Sequence, residues 1–331
     1  MAKKNSLQDA LNKSIFINVA LAVAVVALAG ILVYTTVLSP RTTAVQQGGS
    51  TLNPNATNTT AVAFAGINQP FNATELAAIN NEPLSNYEIA GQRLLNGTLN
   101  DQVVVSNSPQ YNALLISGKP TVIYIGAISC IFCGENRWSM ALALAKFGNF
   151  TSLYKGYSSK NDGAVPTVYW AVNNVTTLSG VTYGNHYSSN LINFVSAEYD
   201  SPISQGFQVQ PLTYFVQHAP NSTYGSALQF MNATGKFQGT PFTFWGSSLD
   251  AGADAVVFGN TTPSSATLPL SQMTHDQILN QLRSNNDQFA WAEYAGADVY
   301  IAQACPSISN SAPVCALPAI KKIGAIMGLS S

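Results

Sequence analysis

Cys130 and Cys133 stand with two residues between them, where an apolar run gives way to an amphipathic one. Upstream, residues 120–128 are rich in β-branched and aromatic residues and apolar on both faces, which predicts a short strand covered on each side. Downstream, Trp138, Ala141, Leu142, Ala145 and Phe147 recur at helical spacing and stop at Gly148, which reads as the helix end. Two thiols three positions apart on the first turn of a helix can close a disulfide. The free N–H groups and positive dipole end of that turn favour the thiolate of the first, making Cys130 the better nucleophile near neutral pH. Two blander readings use the same residues, half of a zinc site or a buried structural disulfide. A zinc site wants a second Cys or His pair at matching spacing. The remaining ligands are Cys305, Cys315, His186, His218 and His275, scattered along the chain, so no metal is expected.

The other cysteine pair, Cys305 and Cys315, encloses nine residues that include Pro306 and Pro313. Neither begins a helix after a strand, so a structural disulfide is favoured over a second, relaying redox pair. Lone histidines without a carboxylate read as surface or satisfied core groups. Trp138, Trp170, Trp245 and Trp291 read as core or rim residues. Arg137, near the helix start, reads as an exposed, solvated side chain, and Glu135, the nearest carboxylate, as turned toward solvent.

The chain has 331 residues, enough for one large domain or two small ones. Its formal net charge is -1 and only 9% of residues are charged, against about 25% in an average protein. No basic surface argues for nucleic acid. Asn, Gln, Ser and Thr carry the polarity instead, which suits a surface outside the cell. Ile15 to Leu38 is a 24-residue apolar stretch; as a helix it spans about 36 Å, enough to cross a bilayer with some tilt. It is too long for a signal-peptide core, so a retained, single-pass signal anchor is expected. Lys3, Lys4 and Lys13 precede it against one Asp9. The positive-inside rule then keeps residues 1–14 in the cytoplasm and sends everything after Pro40 outside. Residues 39–65 read as a flexible stalk and residues 66–331 as the extracytoplasmic domain. Nine Asn-x-Ser/Thr sequons follow the anchor, at Asn55, Asn58, Asn72, Asn96, Asn149, Asn174, Asn221, Asn232 and Asn260, each a glycosylation candidate.

Within the domain the spacing predicts two short helices over Phe71–Asn96, with Asn72 and Glu75 as a cap. The strand and Cys-x-x-Cys helix follow, then β-like runs at Phe150–Tyr157 and Val165–Val172. Residues 179–236 are less regular, with a helix predicted at Tyr224–Met231, and read as a partly helical insertion. A β-hairpin is predicted from Pro241–Trp245 and Ala255–Phe258, with helical spacing at Ile278–Leu282 and Phe289–Ala302.

This order of elements resembles the thioredoxin fold, an α/β fold, here with an inserted helical region and one preceding transmembrane helix. More closely, the chain resembles an archaeal family of membrane-anchored thioredoxin-like proteins of unknown function. Gly118-Lys119-Pro120, Ile128 through Trp138 and Lys146 through Phe150 carry that resemblance. So do Tyr187-Ser188-Ser189, Ile192-Asn193-Phe194, Glu198, Pro241-Phe242 and Cys305 to Cys315, over about Phe71 to Ala316. It implies that Cys130 attacks and Cys133 resolves. It also implies that Thr240 and Pro241 lie against the dithiol, with the Thr240 backbone free to pair with a substrate peptide. Val165-Pro166-Thr167 is a competing match for that proline, but no hairpin and helix follow it. Thioredoxins and their oxidase relatives place an acid six residues before the first cysteine; here Tyr124 stands there. The expected function is a thiol–disulfide oxidoreductase, oxidant or isomerase before reductant. It would act on secreted or surface proteins, with a membrane redox partner and no cofactor beyond its own Cys130–Cys133 disulfide. The alternative is a non-catalytic envelope glycoprotein of the same fold; metal delivery through the dithiol is a third and weaker reading.

Overall fold

The computed structural model describes residues 66–99, 103–106, 113–127, 130–158, 164–170, 186–199, 241–250 and 270–329, all within the compact unit Asn58–Ser331. The anchor, the stalk, most of the expected insertion and the 224–231 helix lie outside these residues. Among the described residues no helix is long and apolar enough to cross a membrane.

Strand β1 (Leu115–Ile116) folds back on the start of β2 (Lys119–Ala127). β2 is the centre of the main sheet, and every residue from Pro120 to Ala127 is buried, as expected of an apolar run with no polar face. Helix α1 (Ala73–Asn80) and helix α2 (Leu84–Leu95) precede it. Asn72 and Glu75 close a reciprocal capping box on α1, so the cap read from sequence is present. After β2 comes helix α3 (Ile131–Leu144), capped by Cys130. It ends at Leu144, four residues before the glycine expected to stop it. Gly148 follows a short turn and abuts the Ser188 carbonyl, which leaves no room for a side-chain carbon.

Strands β3 (Asn149–Phe150), β4 (Tyr154–Tyr157), β5 (Pro166–Tyr169) and β6 (Tyr187–Ser188) form two small antiparallel pairs, β3 with β6 and β4 with β5. The β4–β5 pair packs its second strand on α3. Strand β7 (Asn193–Tyr199) then runs parallel to β2, Val122 beside Phe194 and Ile125 beside Ala197. The stretch read as an insertion thus contains the parallel partner of the central strand. Its period-2 signal was masked by short length and by neighbouring Asn and Ser.

On the other edge of β2 lies β8 (Phe242–Trp245), antiparallel, then β9 (Ser248–Asp250). The hairpin is tighter than expected. Its turn is Gly246-Ser247, with Gly246 at φ +73, and the returning strand begins at Ser248 rather than Ala255. The sheet order is therefore β7-β2-β8-β9, a mixed α/β arrangement. Helices α4 (His275–Ser284), α5 (Gln288–Ala304) and α6 (Pro318–Ile326) complete the unit. α3 packs against α5, and α5 in turn against α2 and α6. That leaves α3 buried on every side from Cys133 to Leu144.

Candidate active site

Cys130 has extended backbone (φ −70, ψ 127) and caps α3. Its N–H donates to the carbonyl of Ala127, the last residue of β2, at 3.2 Å. Its Sγ accepts the Cys133 N–H at 3.4 Å. Cys133 sits one turn further in, and its Sγ accepts the Ala127 N–H at 3.5 Å. Strand end and helix start thus converge two backbone donors on two sulfurs, as a strand followed at once by a helix permits. Both cysteines are free thiols.

Their acidities are driven apart. Cys130 is lowered to about 7, chiefly by the hydrogen bond from the Cys133 thiol, helped by the Cys133 and Phe132 backbone and the Arg137 charge, with burial opposing. Cys133 is raised well above the usual thiol range by burial first, then by the same hydrogen bond and the negative charge beside it. The lowered Cys130 was expected of a thiol at a helix start; the raised Cys133 is chiefly an effect of burial. Exposure differs from expectation. Cys130 keeps only 9% of its surface accessible, Cys133 none, whereas Phe132 between them is 43% exposed. The helix start is part of the packed layer, and Phe132 is the residue of its first turn most open to solvent.

Two neighbours correct the sequence reading outright. Arg137 is fully buried, not solvated, and donates from Nη2 to the Ala127 carbonyl at 2.9 Å. Its guanidinium lies 5.8 Å from the Tyr124 ring centre and 5.7 Å from that of Tyr169. Glu135 is buried as well. With β5 and α5 packed on α3, every residue from Cys133 to Leu144 is buried, and the polar side chains of that stretch go inside. One signal for Arg137 was in the sequence: it follows Cys130 by seven and Cys133 by four, the spacing of one helix face. Tyr124, at the position where relatives of the resembled fold carry an acid, is buried with its hydroxyl folded over Gly126. A side-chain carbon there would collide with it.

Pro241 is buried and directly precedes Phe242, which pairs with Ile125. The register, extended by one residue, sets Pro241 beside Gly126 at the dithiol end of β2. Thr240 lies outside the described residues. The competing Val165-Pro166-Thr167 segment reaches the same helix start from another direction. Thr167 Oγ1 donates to the Gly134 carbonyl at 2.6 Å, and Trp138 Nε1 donates to the Pro166 carbonyl at 3.0 Å. Sequence reading set the two proline segments against each other; the fold brings Val165-Pro166-Thr167 to the first turns of α3 and leaves Pro241 at the start of β8 beside the last residues of β2.

His275 is a buried core group whose Nε2 lies 2.8 Å from the Thr167 carbonyl, which can only accept, so that nitrogen carries the hydrogen. Burial lowers its pKa to about 4. His186 stands beside Tyr154 on the surface, and His218 lies outside the described residues. Cys305 and Cys315 are joined in a disulfide, Cα atoms 5.7 Å apart. Among the described residues no group of three or more His, Cys, Asp or Glu could hold a metal ion. Trp138, Trp170 and Trp245 are core residues, while Trp291 lies half-buried under the Arg93 guanidinium. Of the sequons, Asn72, Asn96 and Asn149 are exposed; Asn72 also accepts the Thr74 and Glu75 N–H groups. The other six lie outside the described residues.

Residues 101–244 match a family described as a domain of unknown function, DUF929, a span that holds both cysteines of the motif and Pro241. No curated protein and no solved structure matches the chain.

Proposed function

We propose that this chain is a membrane-tethered thiol–disulfide oxidoreductase of thioredoxin-like fold that acts on extracytoplasmic proteins. The observation that carries the reading is the polarised dithiol: an acidic Cys130 at a helix N-cap over a buried, protonated Cys133. Order β7-β2-β8-β9, with the dithiol helix after β2 and a proline opening β8, supports the fold assignment. The apolar Ile15–Leu38 stretch behind a lysine-bearing N-terminus, the sequons and the Cys305–Cys315 disulfide support a tethered domain in an oxidising compartment.

In this reading Cys130 forms the mixed disulfide with a client sulfur, and Cys133 resolves it by attacking Cys130 Sγ and expelling the client thiolate. Pro241, without an N–H, lines the site beside the extended backbone of a bound client. The dithiol is its own redox group, re-poised by a membrane redox partner.

Cys133→Ser should trap disulfide-linked clients on Cys130, whereas Cys130→Ser should trap none. Absence of any linked partner on Cys133→Ser, together with a reduced Cys130 that resists alkylation in the folded protein, overturns the reading. The pair would then be a structural element of a non-catalytic envelope protein.

A further inference from the structure

Ala127 is a junction in the hydrogen bonding of the dithiol. Its N–H donates to Cys133 Sγ, while its carbonyl accepts from both the Cys130 N–H and the Arg137 guanidinium. One side chain therefore holds the strand end that orients both sulfurs. It also brings a permanent positive charge into the buried layer, because arginine does not give up its proton there. The faces of Tyr124 and Tyr169 stand against this cation. Granting that the dithiol is a redox site, we propose that Arg137 is a positioning residue that favours the reduced, thiolate form of Cys130. The Cys130–Cys133 disulfide is thereby made an oxidant of client dithiols.

The charge acts on one redox state more than on the other. In the disulfide neither sulfur is charged, whereas in the reduced pair Cys130 can be a thiolate, and a cation in a low-dielectric layer stabilises only that form. Arg137 acts in this direction on both thiols. Stabilising the reduced form raises the tendency of the disulfide to take up electrons. A client thiolate attacks Cys130 Sγ; the Cys130–Cys133 bond breaks, and Cys133 leaves with the electron pair and takes up a proton. The second client thiolate then attacks the client sulfur of the mixed disulfide. That forms the client disulfide and expels Cys130 as a thiolate. The client loses two electrons and the cysteine pair gains two. Of the two client protons, one ends on Cys133 and one in solvent. The better Cys130 is as a leaving group, the faster this second step.

The test uses the full chain in detergent, equilibrated with a glutathione redox buffer and quenched by alkylation. In Arg137→Met the equilibrium should move toward the disulfide by about tenfold, or about 30 mV for a two-electron couple. The pH midpoint of Cys130 alkylation should rise with it. Arg137→Lys should restore part of both, whereas a merely structural side chain would move stability and leave the equilibrium where it was. An unchanged equilibrium and midpoint in folded Arg137→Met overturns the inference. So does a wild-type Cys130 midpoint at or above that of an ordinary thiol, about 8.5, a measurement that stands even where the variant fails to fold. Client trapping by Cys133→Ser separates the two levels. If trapping succeeds while Arg137→Met leaves the equilibrium unmoved, only the role of Arg137 falls; if trapping fails, the redox reading falls with it.

Discussion

The two cysteine pairs of this chain are both largely buried, yet the fold gives them opposite surroundings. Cys130 and Cys133 stand where a strand ends and a helix begins, so backbone N–H groups from both elements point at the sulfurs. Cys305 and Cys315 stand in 3-10 turns, Cys305–Ile308 and Pro313–Ala316, that follow α5 and lead into α6. Between them the chain reverses through Ser309 and Asn310, both at positive φ, and the disulfide closes that reversal. At the first pair, donors and a buried cation favour a negative sulfur. At the second, a proline-bearing loop is cross-linked and anchored to apolar neighbours such as Val314 and Ile320. Local backbone geometry, more than burial, separates the polarised thiol pair from the fastening disulfide.

That contrast breaks most visibly in acid. The dithiol end is held through His275, which donates to the Thr167 carbonyl, and through Thr167, which donates to the Gly134 carbonyl just after Cys133. The folded pKa of His275 is depressed by burial from 6.5 to about 4. Its contribution is therefore complete above pH 6.5 and is lost as pH falls through 4, because the unfolded chain takes up the proton first. The loss amounts to roughly 3 kcal/mol. Urea unfolding at pH 7 and pH 4 should show His275→Gln with a distinctly shallower pH dependence than the wild type; equal slopes would contradict this account.

Replacing both Cys305 and Cys315 with Ala should lower stability by about 2.5–3 kcal/mol on the chain-entropy estimate for a loop of this size. The pH profile of Cys130 alkylation should stay where it was. A profile that shifts in the folded double variant would mean the pairs communicate, and the second would then be a relay. The smallest effect sharpens the same division. Thr274 caps α4 in a reciprocal box with Gln277, immediately before His275. Thr274→Ala should cost about 1 kcal/mol, with amide exchange in α4 and the β4–β5 pair quickening before exchange around Cys305. Uniform quickening would show that the two ends do not open separately.

Several elements were legible because their signals are local. The run before Cys130 has no polar face, and it is the doubly covered strand; Asn72 with Glu75 is a cap, and it caps. Strand β7 was not legible, because seven residues without clean alternation say nothing about which strand they will join. Pairing with β2 supplies that identity from 66 residues or more upstream. Hairpin length was misjudged because Gly246-Ser247 makes a two-residue turn, so the return begins before the apolar Ala255–Phe258 signal.

The sequence by itself determined the dithiol, its place at a strand–helix junction and the favoured thiolate of Cys130, since these follow from spacing along one turn; the raised pKa of Cys133 came chiefly from burial. The tertiary structure alone decided what surrounds that turn. Burial of α3 on all faces from Cys133 onward drew Arg137 and Glu135 inside, and the fold set His275 and Thr167 beside the turn after Cys133. Helical periodicity tells which residues share a face; only packing against β5 and α5 tells whether any face is left for water.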